Sequence, residues 1–315
     1  MFGNRAHPAA LAARFLIPLC LLGLNSCDIE FPEQELHLSH DAGTDTLEML
    51  IVYHGITAPS EGEEAVGKSV DVVKRLMQGE REFMLIDWPL YFEIDKWERK
   101  AREGLESEDE SPYDREQAAR YLQVAERMSL VSHALFLDEE GRLSGYQLFH
   151  VRQFSQVVVL LNQMISADIL DEKAAGGLKA DDELDEHTVQ LVSARAESGE
   201  PWFTVDGDGI KVDLPFSLET TRKGRQKLVH ELLESDDDDG PFADLTAVLA
   251  GSITSLSFEK DRCVGVITPD EPGRYDWTIQ NPAACYSDSL LGALKDAGVP
   301  VREDLKIDQV RSLVR

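Results

Sequence analysis

The sequence is short of most features that mark a reaction. It has no Gly-x-Ser-x-Gly elbow and no His-Glu-x-x-His helix, so the commonest serine-nucleophile and zinc-hydrolase signatures are excluded. Basic residues are scarce: 31 Lys and Arg stand against 59 Asp and Glu, a formal net charge of −28. A chain of that sign is repelled by phosphate backbones and anionic headgroups, which argues against nucleic acid as a partner. Crossing a bilayer as a helix takes roughly 20 apolar residues. Arg14 cuts short the run Phe15–Leu24, and nothing downstream is longer than Val157–Leu161. No clear internal repeat is visible. Cysteines number only four, and two of them fall within the first 27 residues.

What is present begins at the N-terminus. Arg5 and Arg14 form a positive n-region, Phe15–Leu24 an apolar h-region, and Leu24-Asn25-Ser26-Cys27 closes it with a small residue directly before a cysteine. A general secretory signal has the same layout but is cut after a small-x-small site, which Leu24 and Asn25 fit poorly. The segment resembles the signal peptide and lipobox of bacterial lipoprotein precursors. That resemblance implies that residues 1–26 are removed, that the Cys27 sulfur carries a diacylglyceryl group, and that the new amine is acylated, with palmitate as a typical chain. It places the protein outside the cytoplasm, with the membrane as its partner through the N-terminal lipid. Asp28 resembles a signal that retains lipoproteins at the inner membrane in some bacteria, and the choice between inner and outer membrane stays open. Each buried methylene contributes about 0.8 kcal/mol, so two or more chains anchor stably without help from the protein surface. Losing Arg5 and Arg14 and no acid takes the net charge from −28 to about −30. On this reading the lipid holds the protein to its membrane.

The remainder is ordinary for a folded protein, 43% hydrophobic and 29% charged. Residues 27–34 are expected as a lipidated tether, 35–174 as an N-terminal α+β domain, 175–186 as a linker and 187–315 as a C-terminal α+β domain. Alternation predicts a hairpin from Glu35–His40 and Thr46–Tyr53. Val66, Val70, Val73 and Met77 predict a helix over 63–78. Extended pieces at Glu82–Ile86 and on to Ile94 follow, then an acidic loop at Glu103–Glu110. Ser111-Pro112 opens a helix as N-cap and first helical residue, running to about Met128. Strands at Val131–Leu137 and Gly145–Val151 precede an apolar helix, Phe154–Leu170. Further on, Asp206-Gly207-Asp208-Gly209 joins Trp202–Val205 to Ile210–Leu214. Helices are expected at 217–234 and Phe242–Leu249, strands at Ile253–Phe258, Arg262–Ile267 and Tyr275–Ile279, and a last helix from Ser287. Hairpins interspersed with helices give an α+β fold class, with antiparallel hairpins and two small domains.

Several local patterns suggest chemistry. Gly62-Glu63-Glu64-Ala65-Val66-Gly67-Lys68-Ser69 satisfies the phosphate-loop pattern, in which backbone amides and a lysine hold phosphates and a hydroxyl holds magnesium. Phe83–Asp87 even resembles the accompanying metal-holding strand. Against it, Gly55–Glu61 separates the loop from its strand, Glu63 and Glu64 would sit beside a triphosphate, and the preceding strand belongs to a local hairpin. His37, His40 and His54 cluster along one hairpin, but residues three apart on a strand point to opposite faces, so no metal is assigned. Asp206 and Asp208 suggest calcium, yet Thr204 and Pro215 occupy ligand positions of the calcium loop, and a turn is the better reading. Asp236–Asp239 reads as a solvated loop. Cys263 and Cys285, 22 residues apart, are either buried thiols or a disulfide worth roughly 3 kcal/mol. No cofactor is implied. The sequence therefore favours a non-catalytic envelope lipoprotein that binds an envelope protein or a small ligand. Two alternatives are a nucleotide hydrolase built on Gly62, Gly67, Lys68 and Ser69, and a hydrolase or carbohydrate-binding protein with an unmarked site.

Overall fold

A computed structural model describes residues 29–60, 62–77, 79–85, 90–107, 109–180, 184–206, 209–222, 255–259, 261–269, 271–280 and 286–314. The fold is α+β. The chain divides into two compact units that interleave along the sequence. Among the described residues, one draws on 29–103, on Tyr121–Phe154 and on Pro269–Arg315; the other draws on Gly104–Arg120 and Ser155–Thr268. The stretch 175–186, expected to separate two consecutive domains, falls inside the second of these, and the last 47 residues return to the first.

The first unit is built on the expected hairpin, β1 (Glu33–Asp41) and β2 (Thr46–His54). Then come α1 (Glu63–Met77), β3 (Glu82–Leu85), β4 (Leu90–Glu93) and α2 (Ile94–Glu106). Helix α3 (Pro112–Ala125) begins in the second unit and passes into the first at Tyr121, where β5 (Met128–Leu137) and β6 (Leu143–Arg152) form a second long hairpin. Strand β11 (Arg274–Gln280), helix α6 (Ser289–Asp296), short strand β12 (Val301–Arg302) and helix α7 (Ile307–Arg311) complete it. The main sheet runs β11-β1-β2-β6-β5-β12, antiparallel except for β12 beside β5.

Alternation along each strand gives this sheet two unlike faces. On one, Leu50, Val52, Tyr146 and Leu148 pack with Phe136 against Val310 and Val314 from the C-terminal strap. On the other, Tyr53, Ile51 and Phe149 are fully buried, and Gln147 donates to the carbonyls of Leu76 at 2.8 Å and Glu82 at 2.7 Å. Gly145 lies on this second face because there is no room for more. A Cβ there would come within 2.7 Å of Met77 Cε and 3.2 Å of Ile56 and Leu135.

The tether expectation is corrected at its C-terminal part. Ile29 and Phe31 are buried, and Glu30 bridges Thr57 with two hydrogen bonds of 2.9 Å. The chain is thus packed from Ile29 onward. The extended piece expected before Ile94 is strand β4, but helix α2 follows it directly and runs into the first four residues of the expected acidic loop at Glu103–Glu110. Its buried face consists of Ile94, Trp97 and Ala101 alone, a helical spacing set within a strongly charged segment.

The second unit contains α4 (Phe154–Ala174) apart from its first residue, together with α5 (Glu186–Ser198) and the antiparallel sheet β7-β8-β10-β9. Those strands are Phe203–Asp206, Gly209–Leu214, Arg262–Ile267 and Ser255–Glu259 respectively. Strands β7 and β8 pair antiparallel as expected, with Asp206 opposite Gly209; Gly207 and Asp208 lie outside the described residues. The core of this unit joins Ile165, Ile169, Val192, Ala196 and Trp202. Asp185 caps α5 by accepting from Thr188 N at 2.7 Å, and Gly199 ends it at φ 71°. Residues 218–222 are helical. The remainder of the expected helix 217–234, Asp236–Asp239 and Phe242–Leu249 lie outside the described residues. Among those residues no helix is long and apolar enough to cross a membrane.

Candidate functional site

The first unit carries a groove of about 630 Å³ lined by Arg75, Glu80, Glu82, Glu93, Asp95, Lys96 and Arg99. The β3–β4 hairpin shapes its floor. Glu82 and Glu93 sit opposite each other across the pair, while Phe83 stacks on Phe92 at 4.5 Å and Trp97 meets Phe92 edge-on at 5.6 Å. The rings anchor the hairpin through buried apolar area. The α1 end delivers Arg75 and the first turns of α2 deliver Asp95, Lys96 and Arg99.

Most of the groove charges are already paired. Lys96 holds Glu93. Arg81 clasps Asp95 and Glu98, and it donates to the Ala125 carbonyl at 2.7 Å and that of Met128 at 3.0 Å. Glu82 is buried, accepts from Tyr91 Oη, and lies 3.3 Å from Arg75 Nε. Burial raises the Glu82 pKa, and the neighbouring Glu80 carboxyl raises it further, against the lowering effect of Tyr91 and Arg75. Burial likewise pushes the Tyr91 phenol up, reinforced by Glu82. The groove therefore offers a carboxyl that retains its proton to higher pH than an exposed glutamate, beside a second carboxylate. Such a pair can donate to and accept from a polar ligand.

A second cluster lies on the sheet face beneath the C-terminal strap. Glu33, Glu35 and His37 alternate onto one face of β1, and β2 brings His54 opposite Glu33 while β11 brings Asp276 opposite His37. The Glu35 side chain is only 3% exposed. It accepts from Arg311 Nε at 2.8 Å and Nη2 at 2.5 Å, with His37 Nε2 at 2.9 Å and His54 Nε2 at 2.8 Å. Burial alone would raise its pKa, but Arg311, His37 and His54 outweigh that and hold the carboxyl far below the usual range. For His37, burial opposes the charged form, and Glu35 and Asp276 overcome it and raise the pKa. Ligand-type atoms of Glu33, Glu35 and His54 lie within 4.8 Å of one another. Both Glu35 oxygens are engaged by the guanidinium and the imidazoles, which makes the group an ion-pair network.

The expected site residues fare differently. The phosphate-loop reading is corrected: Glu63–Ser69 are the first two turns of α1, not a loop. Lys68 pairs with Glu64 at 3.0 Å one turn back, and the buried Ser69 hydroxyl donates to the Ala65 carbonyl at 3.0 Å. Gly67, Lys68 and Ser69 thus lie within the helix rather than in a loop wrapped around an anion. The three histidines do not converge: His40 lies 3.6 Å from Asp45, while His37 and His54 meet at Glu35. The in-strand spacing of 37 and 40 was informative. The cross-strand register that unites 37 with 54 was not visible from it. Cys263 is a half-buried free thiol on β10, its pKa raised by burial and by Asp213; Cys27 and Cys285 lie outside the described residues.

Neither the groove nor the Glu35 cluster has a sequence motif. The one available signal was Glu33-x-Glu35-x-His37, ionisable residues at the period of a strand. No protein-family model, curated protein or solved structure matches this chain.

Proposed function

We propose that this protein is a lipid-anchored extracytoplasmic protein that works by binding, an envelope component presenting its α+β body at a membrane surface. The observation that carries the reading is Leu24-Asn25-Ser26-Cys27 after an apolar run bounded by Arg14. The early onset of packing supports it. Ile29 is already buried, and two residues of chain reach about 7 Å, so a lipid on Cys27 would hold the body close to the bilayer. The acidity of the chain leaves that lipid as the means of attachment. The groove beside Glu82 suits a small polar ligand carrying hydroxyl or charged groups.

Replacing Cys27 with serine tests the anchor. The parent protein should incorporate radiolabelled palmitate and partition into detergent. The Cys27→Ser protein should take up no label and stay aqueous or unprocessed. Equal labelling and partitioning of the two would overturn the proposal. The Glu80–Glu82 pair favours one second reading, an acid–base hydrolase acting at the same groove. Substrate turnover lost on Glu82→Gln, with the fold intact, would select it.

A further inference from the structure

His37 presents an unusual bonding pattern. Its Nε2 lies 2.9 Å from Glu35 Oε2 and its Nδ1 lies 2.5 Å from Asp276 Oδ1. A neutral imidazole has one N–H and one bare lone pair. With both nitrogens on carboxylates, the neutral form would face one oxyanion with a lone pair. Only the imidazolium donates to both. The two carboxylates belong to strands far apart in sequence, β1 and the edge strand β11, which pair from Glu33↔Gln280 to Ser39↔Arg274. We propose that doubly protonated His37 is a pH-sensitive clasp between β1 and β11, which loosens the edge strand when His37 gives a proton to solvent.

The charges around His37 fix the sign. Glu33 and Glu35 lie on β1, with His54 on β2 reached through Glu35. Asp276 and Arg274 lie on β11, joined at 2.9 Å. Arg311 and Asp308 lie on α7, 3.6 Å apart. When β11 leaves, His37 loses the Asp276 carboxylate and its proton is held less tightly. The raised pKa in the closed state therefore stabilises pairing fully below the pKa that His37 keeps beside Glu35 once β11 has left, and the benefit is lost as pH rises through the closed-state pKa. The α7 strap responds in the opposite sense. His37 and Arg311 are both cations on Glu35, so losing the imidazolium charge removes repulsion from Arg311 and leaves Glu35 to it. Alkaline pH should loosen β11 without loosening the strap.

Amide hydrogen exchange on the full-length protein between pH 6 and 9, corrected for intrinsic rates, separates the two. The opening constant of residues 274–280 should rise by about tenfold for each unit by which the closed-state pKa exceeds that of the open state, in which Glu35 still faces His37. Residues 307–314 should stay unchanged or become better protected. In His37→Gln, residues 274–280 should open more readily at pH 6 and lose the dependence on pH. If that variant does not fold, a nitrogen NMR titration of the wild-type imidazole decides. Both ring nitrogens should carry protons at pH 7, and Asp276→Asn should lower the His37 pKa. A neutral His37 at pH 6.5, or parallel loosening of β11 and the strap in the wild type, would overturn the proposal.

Discussion

Replacing Gln147 should separate the sheet from the floor of the groove. Gln147 is fully buried on β6. Its amide nitrogen donates to the Leu76 carbonyl at the end of α1 and to the Glu82 carbonyl on β3, and its oxygen accepts from Tyr53 Oη at 2.8 Å. Tyr53 Oη in turn accepts from Met84 N at 3.2 Å, and Gln34 donates to the Met84 carbonyl at 2.7 Å. One side chain thus satisfies three buried groups across three elements. Leaving a buried donor or acceptor unpaired costs about 1–3 kcal/mol. Gln147→Leu strands three such partners, with some recovered by relaxation, so the expected loss is about 3–5 kcal/mol. Tyr53→Phe strands the Gln147 oxygen and the Met84 amide, for about 2–3 kcal/mol by the same rule. The two changes share one hydrogen bond, so the double variant should fall short of the sum by about 1 kcal/mol. Urea unfolding read by peptide-resolved hydrogen exchange over β2, β3 and β6 measures all three. Costs below about 0.5 kcal/mol for each single variant, with simple additivity, would refute the reasoning.

Two further predictions rest on the same kind of argument. Asp185 caps α5 and accepts from Ser217, Thr220 and Thr188, which outweigh burial and hold its pKa at about 2. Because the folded value lies below the unfolded one of about 3.9, its contribution is complete above about pH 5 and lost as pH falls toward 2. Asp185→Ala should cost about 1–2 kcal/mol at neutral pH and flatten the acid limb of the stability curve for residues 186–198. Gly145→Ala should cost about 1–3 kcal/mol through crowding against Met77, Ile56 and Leu135. Met77→Ala in the same background should recover part of that loss, and denaturation midpoints of the single and double variants provide the check.

The hairpins were legible because one face of each strand is buried and the side chains alternate. Strands β1, β2, β7, β8 and β10 fall within a residue or two of expectation. Helix α2 was hidden because only Ile94, Trp97 and Ala101 are apolar contacts in a highly charged segment, and local polarity reads as loop. The interleaved division was not legible at all. The pairing of β11 with β1 joins residues about 240 positions apart, and nothing local marks a returning strand. The same limit hid the functional groups. Glu82 becomes unusual only when Tyr91, Glu80 and Arg75 gather around it, and Glu35 only when Arg311 arrives from the C-terminus. In the opposite direction, Gly62–Ser69 has the letters of a phosphate loop without its geometry. Val66, Val70 and Val73 bury a helical face through that stretch, so the apolar periodicity was the stronger signal.

The lipid on Cys27 is the central claim, and intact-mass analysis of the protein purified from native membranes tests it most directly. The account predicts a chain beginning at Cys27 and carrying the added mass of a diacylglyceryl group, with or without a further acyl chain on its amine. An unmodified N-terminus at any position, whether at Met1 or after an ordinary signal cleavage, would contradict it.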